Sequence, residues 1–151
     1  MLRLSKKLLF AVEAVVDIAY HAGAVPVRSS DISERQGIPR RYLEQVLQHL
    51  VRAGILAGQR GPKGGYRLAR ERRRITLGEI VRVVRQLEAN ETSGREDLGS
   101  EIGQKVVGPL WRELESDIMA RFDGLTIDDL CDQARAKGIA RDAAEAPDFS
   151  I

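Results

Sequence analysis

The chain has 151 residues, 43% apolar and 30% charged, with a formal net charge of +2, a length that suits one domain or a small domain with an appended helical element. Its single cysteine, Cys131, excludes an intrachain disulfide framework and a cysteine-only metal site within one chain, and points to a reducing, cytoplasmic setting. The near-neutral total hides an asymmetry: residues 1–74 hold 15 Lys/Arg against 6 Asp/Glu, or +9, and residues 75–151 hold 9 against 16, or −7. A basic half is drawn to phosphate because neutralising phosphates releases condensed counterions. From charge alone, a merely solvated surface is an equal reading.

Ser5 caps a first helix expected over Lys6 to Ala22. Leu9, Val12, Val16, Ala19 and Tyr20 form one apolar stripe, and Leu8, Ala11, Val15 and Ile18 a second. A helix apolar on two sides buries both. Glu13 and Asp17 interrupt the stretch, so it reads as neither a signal peptide nor a membrane span. Ser29 and Ser30 are candidate caps for a short helix ending at Gln36, with Gly37 as its left-handed terminator. Pro39 fits the first turn of a third helix running to about Ala53. Leu43, Val46, Leu47 and Leu50 make its apolar stripe. The opposite face carries Arg41, Gln45, Gln48 and Arg52, with Arg40 and Glu44 alongside.

Two helices joined by a tight glycine turn are a helix-turn-helix signature. A hairpin follows, its strands around Ile55–Gln59 and Tyr66–Leu68 and its tip at Gly61-Pro62-Lys63-Gly64-Gly65. This basic, glycine-rich tip is a wing. It lacks the P-loop pattern and leads into a strand, which argues against a nucleotide-binding loop. Thr76 and Glu79 form a capping box, with Ile75 and Ile80 as a hydrophobic staple, for a fourth helix ending near Leu87. The polar stretch 88–100 reads as a flexible loop. Ile102, Val106, Leu110, Leu114, Ile118 and Phe122 then recur every four residues. They mark a long amphipathic helix assigned to a dimer interface, packing within one chain being the other reading. Gly108-Pro109 either kinks this helix or starts it. Thr126 begins a last helix closed by Gly138. The expected division is a winged helix-turn-helix domain at 1–87, the loop at 88–100, the dimerisation and C-terminal helices at 101–138, and a disordered tail at 139–151.

Reading DNA requires a rigid helix in the major groove with hydrogen-bonding side chains outward. The third helix meets this with Arg40 or Arg41 for guanine or phosphate, Gln45 and Gln48 for adenine, and Tyr42 for a phosphate. Glu44 either accepts from cytosine or pairs with Arg40 one turn away. Arg60, Lys63 and Gly64 serve the wing, an arginine there suiting a narrow minor groove. Arg70, Arg72, Arg73 and Arg74 touch backbone phosphate or form an ordinary solvated turn. Catalysis finds no support. His21 and His49, the chain's two histidines, lie on different helices, and neither a nucleophile elbow nor a zinc-protease motif is present. Neither catalytic residues, nor a metal site, nor a cofactor is expected.

The segments Asp31–Ile38, Tyr42–Gln45, Arg60–Leu68 and Ile75–Ile80, and more weakly Leu110–Leu114, resemble the winged-helix transcription regulators of the IscR/CymR type. The resemblance implies a mainly α fold with a small β-hairpin wing, and a homodimer with crossed long helices on a palindromic double-stranded DNA operator. Arg41, Tyr42, Glu44 and Gln45 match the family's recognition-helix contacts and Arg60 its wing arginine. Cluster-binding members place three cysteines before the long helix and often a histidine near its start, whereas Glu88 to Val107 holds neither residue type here. Thiolate ligation of an iron–sulfur cluster needs those side chains. The chain therefore resembles the cluster-free branch, in which a small molecule, a protein such as a cysteine-synthesis enzyme, or an order–disorder change of the loop supplies the signal. The expected function is a sequence-specific DNA-binding repressor of iron–sulfur or cysteine metabolism. The other reading is a protein-interaction adaptor that kept the winged helix.

Overall fold

A computed structural model describes residues 5–91 and 99–141. The helix α1 spans Lys6–Tyr20, α2 Ser29–Gln36 and α3 Arg40–Arg52. The strands β1 (Leu56–Gln59) and β2 (Gly65–Leu68) pair antiparallel, Leu56 opposite Leu68 and Gln59 opposite Gly65. A single 3-10 turn at Arg72–Arg74 leads into α4 (Leu77–Glu91); α5 covers Gly108–Asp123 and α6 Ile127–Ala136. The fold is mainly helical with a β-hairpin wing, as the sequence indicates.

The core forms where the apolar stripes converge. Ala11, Val15 and Ile18 of α1 pack with Leu43, Leu47 and Leu50 of α3 and with Ile75, Ile80 and Val84 at and within α4, all essentially inaccessible to water. Ile127 and Cys131 of α6 belong to the same cluster. The C-terminal helix is therefore part of the winged-helix core, not an appendage grouped with a dimerisation element. A short bridge explains how it gets there. Leu77 N–H donates to Leu125 O at 2.8 Å and Ile127 N–H to Ile75 O at 2.9 Å, so the starts of α4 and α6 are tied side by side. Each start carries a capping box, Thr76 with Glu79 and Thr126 with Asp129.

Local chemistry sets the helix ends. The Ser5 hydroxyl accepts from Leu8 N–H at 3.2 Å, and Gly37 and Gly54 close α2 and α3 with φ of 64° and 77°. The extended piece at Val27 pairs with Tyr66 through bonds of 3.0 and 2.7 Å, adding a third edge to the wing. Asp17, only 2% exposed, accepts a fork from Arg35 at 2.9 and 2.8 Å and a bond from Gln36 Nε2 at 2.8 Å. This buried carboxylate, read from the sequence only as a break in an apolar run, clamps α2 onto α1.

Three boundaries differ from expectation. The helix α4 continues to Glu91, because Leu87 is still buried and Glu88 accepts from the Ser5 hydroxyl at 2.7 Å. The middle of the expected loop, 92–98, lies outside the described residues, as do 1–4 and 142–151. The long helix does not start at Gly108-Pro109. It is helical from Glu101, passes through one π turn at Gly103–Val107, and continues as α5. Gly108 N–H reaches back to Gly103 O, and this wider turn accommodates the proline that follows. Of the tail expected to be disordered, Ile139 and Arg141 are hydrogen-bonded to α1's end. Ile139 O accepts from the Tyr20 hydroxyl, and Arg141 Nε donates to Tyr20 O at 3.0 Å.

Candidate nucleic-acid interface

The helix α3 buries Leu43, Val46, Leu47 and Leu50, and the helical period then turns Arg41, Gln45, Gln48 and Arg52 to the opposite side, all four exposed. The wing stands beside this face. Between them is an open cleft of about 830 Å3, lined by Gln48 and Arg52 of α3, Arg60 and Gly64 of the wing, and Arg28 and Ser29 at the start of α2. Among the described residues, no acidic side chain lines it. A major groove is about 12 Å wide and admits one helix, so a helix flanked by a protruding hairpin matches a duplex in shape.

The wing is held in place by backbone. Arg28 donates to Pro62 O at 2.9 Å, fastening the tip to the start of α2. Gly64 N–H closes the turn on Gly61 O at 2.8 Å, and a Cβ at Gly64 would lie 2.4 Å from Gln59 O. Gly64 is needed to fold the tip, a role distinct from close approach to a ligand. The start of α2 is open in the relevant direction. Ser29 and Ser30 are not caps: the N-cap is Arg28, whose side chain makes no capping bond, and the serines are the first helical residues. N–H groups in a first turn favour an anion.

Pairing separates structural cations from available ones. Arg35 is committed to Asp17, Arg70 to Glu79, Arg72 to Asp128, Arg73 to Glu71 and Arg82 to Asp123. The 70–74 cluster is thus largely engaged in holding the 3-10 turn against α6 and α4. Arg41, Arg52, Arg60 and Lys63 make no ion pair with any other described residue, and all four are exposed. Arg40 and Glu44 form an exposed pair at 3.7 Å, the one-turn partnership weighed above.

Two expected residues change role. Tyr42 is half-buried, with its ring 6.1 Å from Phe10 and its hydroxyl donating to Lys7 O at 2.5 Å. Its proton is spent on α1, so it anchors α3 and is not free to donate to a phosphate. Phe122, placed with the dimer residues, packs against the chain's own core because the end of α5 lies on α4. The cleft in turn brings in Arg28, Ser29 and Arg52, which were not among the expected DNA contacts. Arg52 was already placed on the polar face of the third helix with Arg41, Gln45 and Gln48, though not named as a contact. Arg28 was not legible, since only the fold carries it to the wing.

A family model described as iron-dependent transcriptional regulator, Rrf2, matches residues 4–133. The chain belongs to the Rrf2 family. Among its relatives, the HTH-type transcriptional regulator IscR of Aliivibrio salmonicida is 40% identical over 131 residues, covering 85% of this chain and 77% of that one. IscR of Pectobacterium carotovorum is 36% identical over 141 residues, covering 92% and 85%. Among solved structures, T. potens IscR superposes with a TM-score of 0.72 at 35% identity, covering 93% of each chain. CymR, the global cysteine regulator of B. subtilis, does so with a TM-score of 0.68 at 28% identity, covering 88% and 98%. This Rrf2 chain is accordingly a DNA-binding transcriptional regulator of IscR-like kind and not an enzyme. No helix among the described residues is long and apolar enough to cross a membrane.

The family description raises iron, and the donor set does not suit a cysteine-ligated cluster. The one thiol, Cys131, is fully buried in the core between α1 and α6, and burial pushes its pKa up, away from the thiolate that binds metal. Residues 88–107 offer neither cysteine nor histidine.

Proposed function

We propose that the chain acts as a homodimer on a palindromic operator, as a repressor, without a cysteine-ligated cluster. Each α3 lies in a major groove with Arg41, Gln45 and Gln48 toward base edges, while Arg60 and Lys63 follow the adjacent backbone or minor groove. The observation carrying this reading is the cleft between α3 and the wing, lined by Arg28, Arg52 and Arg60 and by no acidic side chain among the described residues, with Arg41 and Lys63 exposed elsewhere on the same helix and hairpin, in a chain whose other arginines are mostly committed to carboxylates or backbone oxygens. An adaptor has no use for such a set. The first turn of α2 supplies phosphate contacts that orient the helix without reading sequence.

The dimer rests on α5 and the turn before it. Ile102, Val106, Leu110, Leu114 and Ile118 stay exposed, Ile102 at 69%, and Trp111 beside them at 48%. A contiguous apolar row of this length on a soluble regulator marks an interface. A second copy crossing the same row gives the two-fold axis that a palindrome requires. Repression then follows from occupancy of promoter DNA.

Binding-site selection from random duplexes tests the reading. The expected outcome is one inverted repeat with half-sites about one or two helical turns apart. Recovery of an unrelated protein partner with no enriched duplex supports the adaptor instead.

A further inference from the structure

A second cavity, of about 330 Å3, lies between α1 and α6, away from the DNA cleft. Small-ligand sites begin at about this size, roughly 300 Å3. Its body is aliphatic: Val12 and Val16 on the α1 wall, Leu130 and Ala134 on the α6 wall, with Ile139 contributed by the C-terminal segment. That segment is fixed across the end of α1 by the Tyr20 and Arg141 bonds described above. Besides Asp17 and His21, which are buried and paired with each other, two exposed charged side chains of opposite sign line the cavity from different walls, Glu13 on α1 and Lys137 at the C-cap of α6. Both are exposed, and neither forms an ion pair with a described residue.

We propose that this cavity binds a small zwitterion with an aliphatic body, an amino acid such as leucine, and that its occupancy sets operator affinity. The ammonium group faces Glu13, the carboxylate faces Lys137, and the side chain fills the space between Val12, Val16, Leu130 and Ala134. An uncharged apolar ligand leaves both charges unused. An anion or a cation alone leaves one of them unpaired.

The coupling route is physical. Asp17 and Gln36 also line the cavity, and Asp17 is the carboxylate that clamps Arg35 and Gln36 of α2 to α1. A ligand on this wall bears on the helix that packs behind α3. Any shift in operator affinity must be mirrored in ligand affinity. The regulatory half of the proposal rests on the DNA-binding reading; the ligand site does not.

Calorimetry on the full chain, without DNA, tests the site with L-leucine, 4-methylpentanoate and 3-methylbutylamine. The proposal expects saturable binding of leucine, with each analogue weaker by about tenfold or more for its lost charged hydrogen bond. It also expects loss of leucine binding in the exposed double variant Glu13→Gln/Lys137→Gln, and in the cavity-filling Ala134→Leu. Circular dichroism reports whether Ala134→Leu folds, and the rim variant decides the matter if it does not. Absence of saturable leucine binding, equal binding of all three compounds, or an unaltered rim variant overturns the site. Anisotropy of a labelled operator with and without leucine tests the coupling, and an unmoved affinity overturns it. A chain that binds leucine but no duplex under any condition instead overturns the DNA reading.

Discussion

Side chains that look alike in the sequence divide by what they touch. Arg35 and Arg41 are both basic residues on helices of the same motif, yet Arg35 closes a fork on a buried carboxylate while Arg41 faces solvent with no partner among the described residues. Removing one partner of a buried charge pair leaves the other unsatisfied and costs about 3–5 kcal/mol. Asp17→Ala is therefore expected to lower unfolding free energy on that scale, measured by urea denaturation, and to loosen α2. Arg60→Ala and Gln48→Ala are expected to leave stability unchanged. Each should weaken operator binding by about 1–3 kcal/mol, the range for a single good contact, as read by anisotropy titration. Gly64→Ala sits between these cases. Its new methyl group has no room beside Gln59 O, so the tip must reshape and operator affinity should fall while the core unfolds at an unchanged temperature. Tyr42 shows where reading one residue at a time fails. Its position on α3 gave no sign that Lys7 O, 35 residues earlier, accepts the hydrogen bond from its hydroxyl.

Periodic elements were legible in the sequence, and contacts between elements were not. The stripe of α1 through Leu8, Ala11, Val15 and Ile18, the stripe of α3, the two capping boxes, the glycine stops after α2 and α3 and the hairpin follow from local rules, whereas the other α1 stripe, expected to be buried, leaves Leu9 at 50% exposure and Val12 and Val16 only partly covered. The boundary of α4 does not, since Glu88 stays helical through contacts with α1. Nor does the place of Phe122, which depends on α5 folding back onto α4. That junction is fixed by Arg82, which donates to both carboxylate oxygens of Asp123 at 2.8 and 2.7 Å. Gly78 allows the close approach, because a Cβ there would meet Asp123 Oδ1. The Arg82 guanidinium holds the Asp123 carboxyl below its ordinary range. A depressed carboxylate contributes stability above its unfolded pKa of about 3.9 and loses it as pH falls through the lower folded value. The melting-temperature gap between the wild type and Arg82→Ala should thus be present at neutral pH and close as pH drops below about 4. The apolar row on α5 makes a separate prediction. Leu114→Asp with Ile118→Asp is expected to give a folded monomer by analytical ultracentrifugation, with operator affinity lost because a single half-site remains.

On the scale of the molecule, charge and shape agree. The basic half holds α2, α3 and the wing, and the acidic half holds α5 and α6. On the proposed reading, the acidic side faces away from the duplex and the unpaired cations set the salt dependence of binding. For B-DNA, affinity falls with salt at a log–log slope of about 0.9 per neutralised phosphate. A dimer presenting Arg28, Arg41, Arg52, Arg60 and Lys63 twice should show a steep slope. The most direct measurement is that slope, taken on the selected operator for the wild type and for Arg41→Ala/Arg60→Ala, with circular dichroism to confirm folding. The account predicts a shallower slope and an affinity lower by about a hundredfold or more for the variant, the combined loss of two such contacts. A folded variant that keeps both the wild-type slope and the wild-type affinity contradicts it.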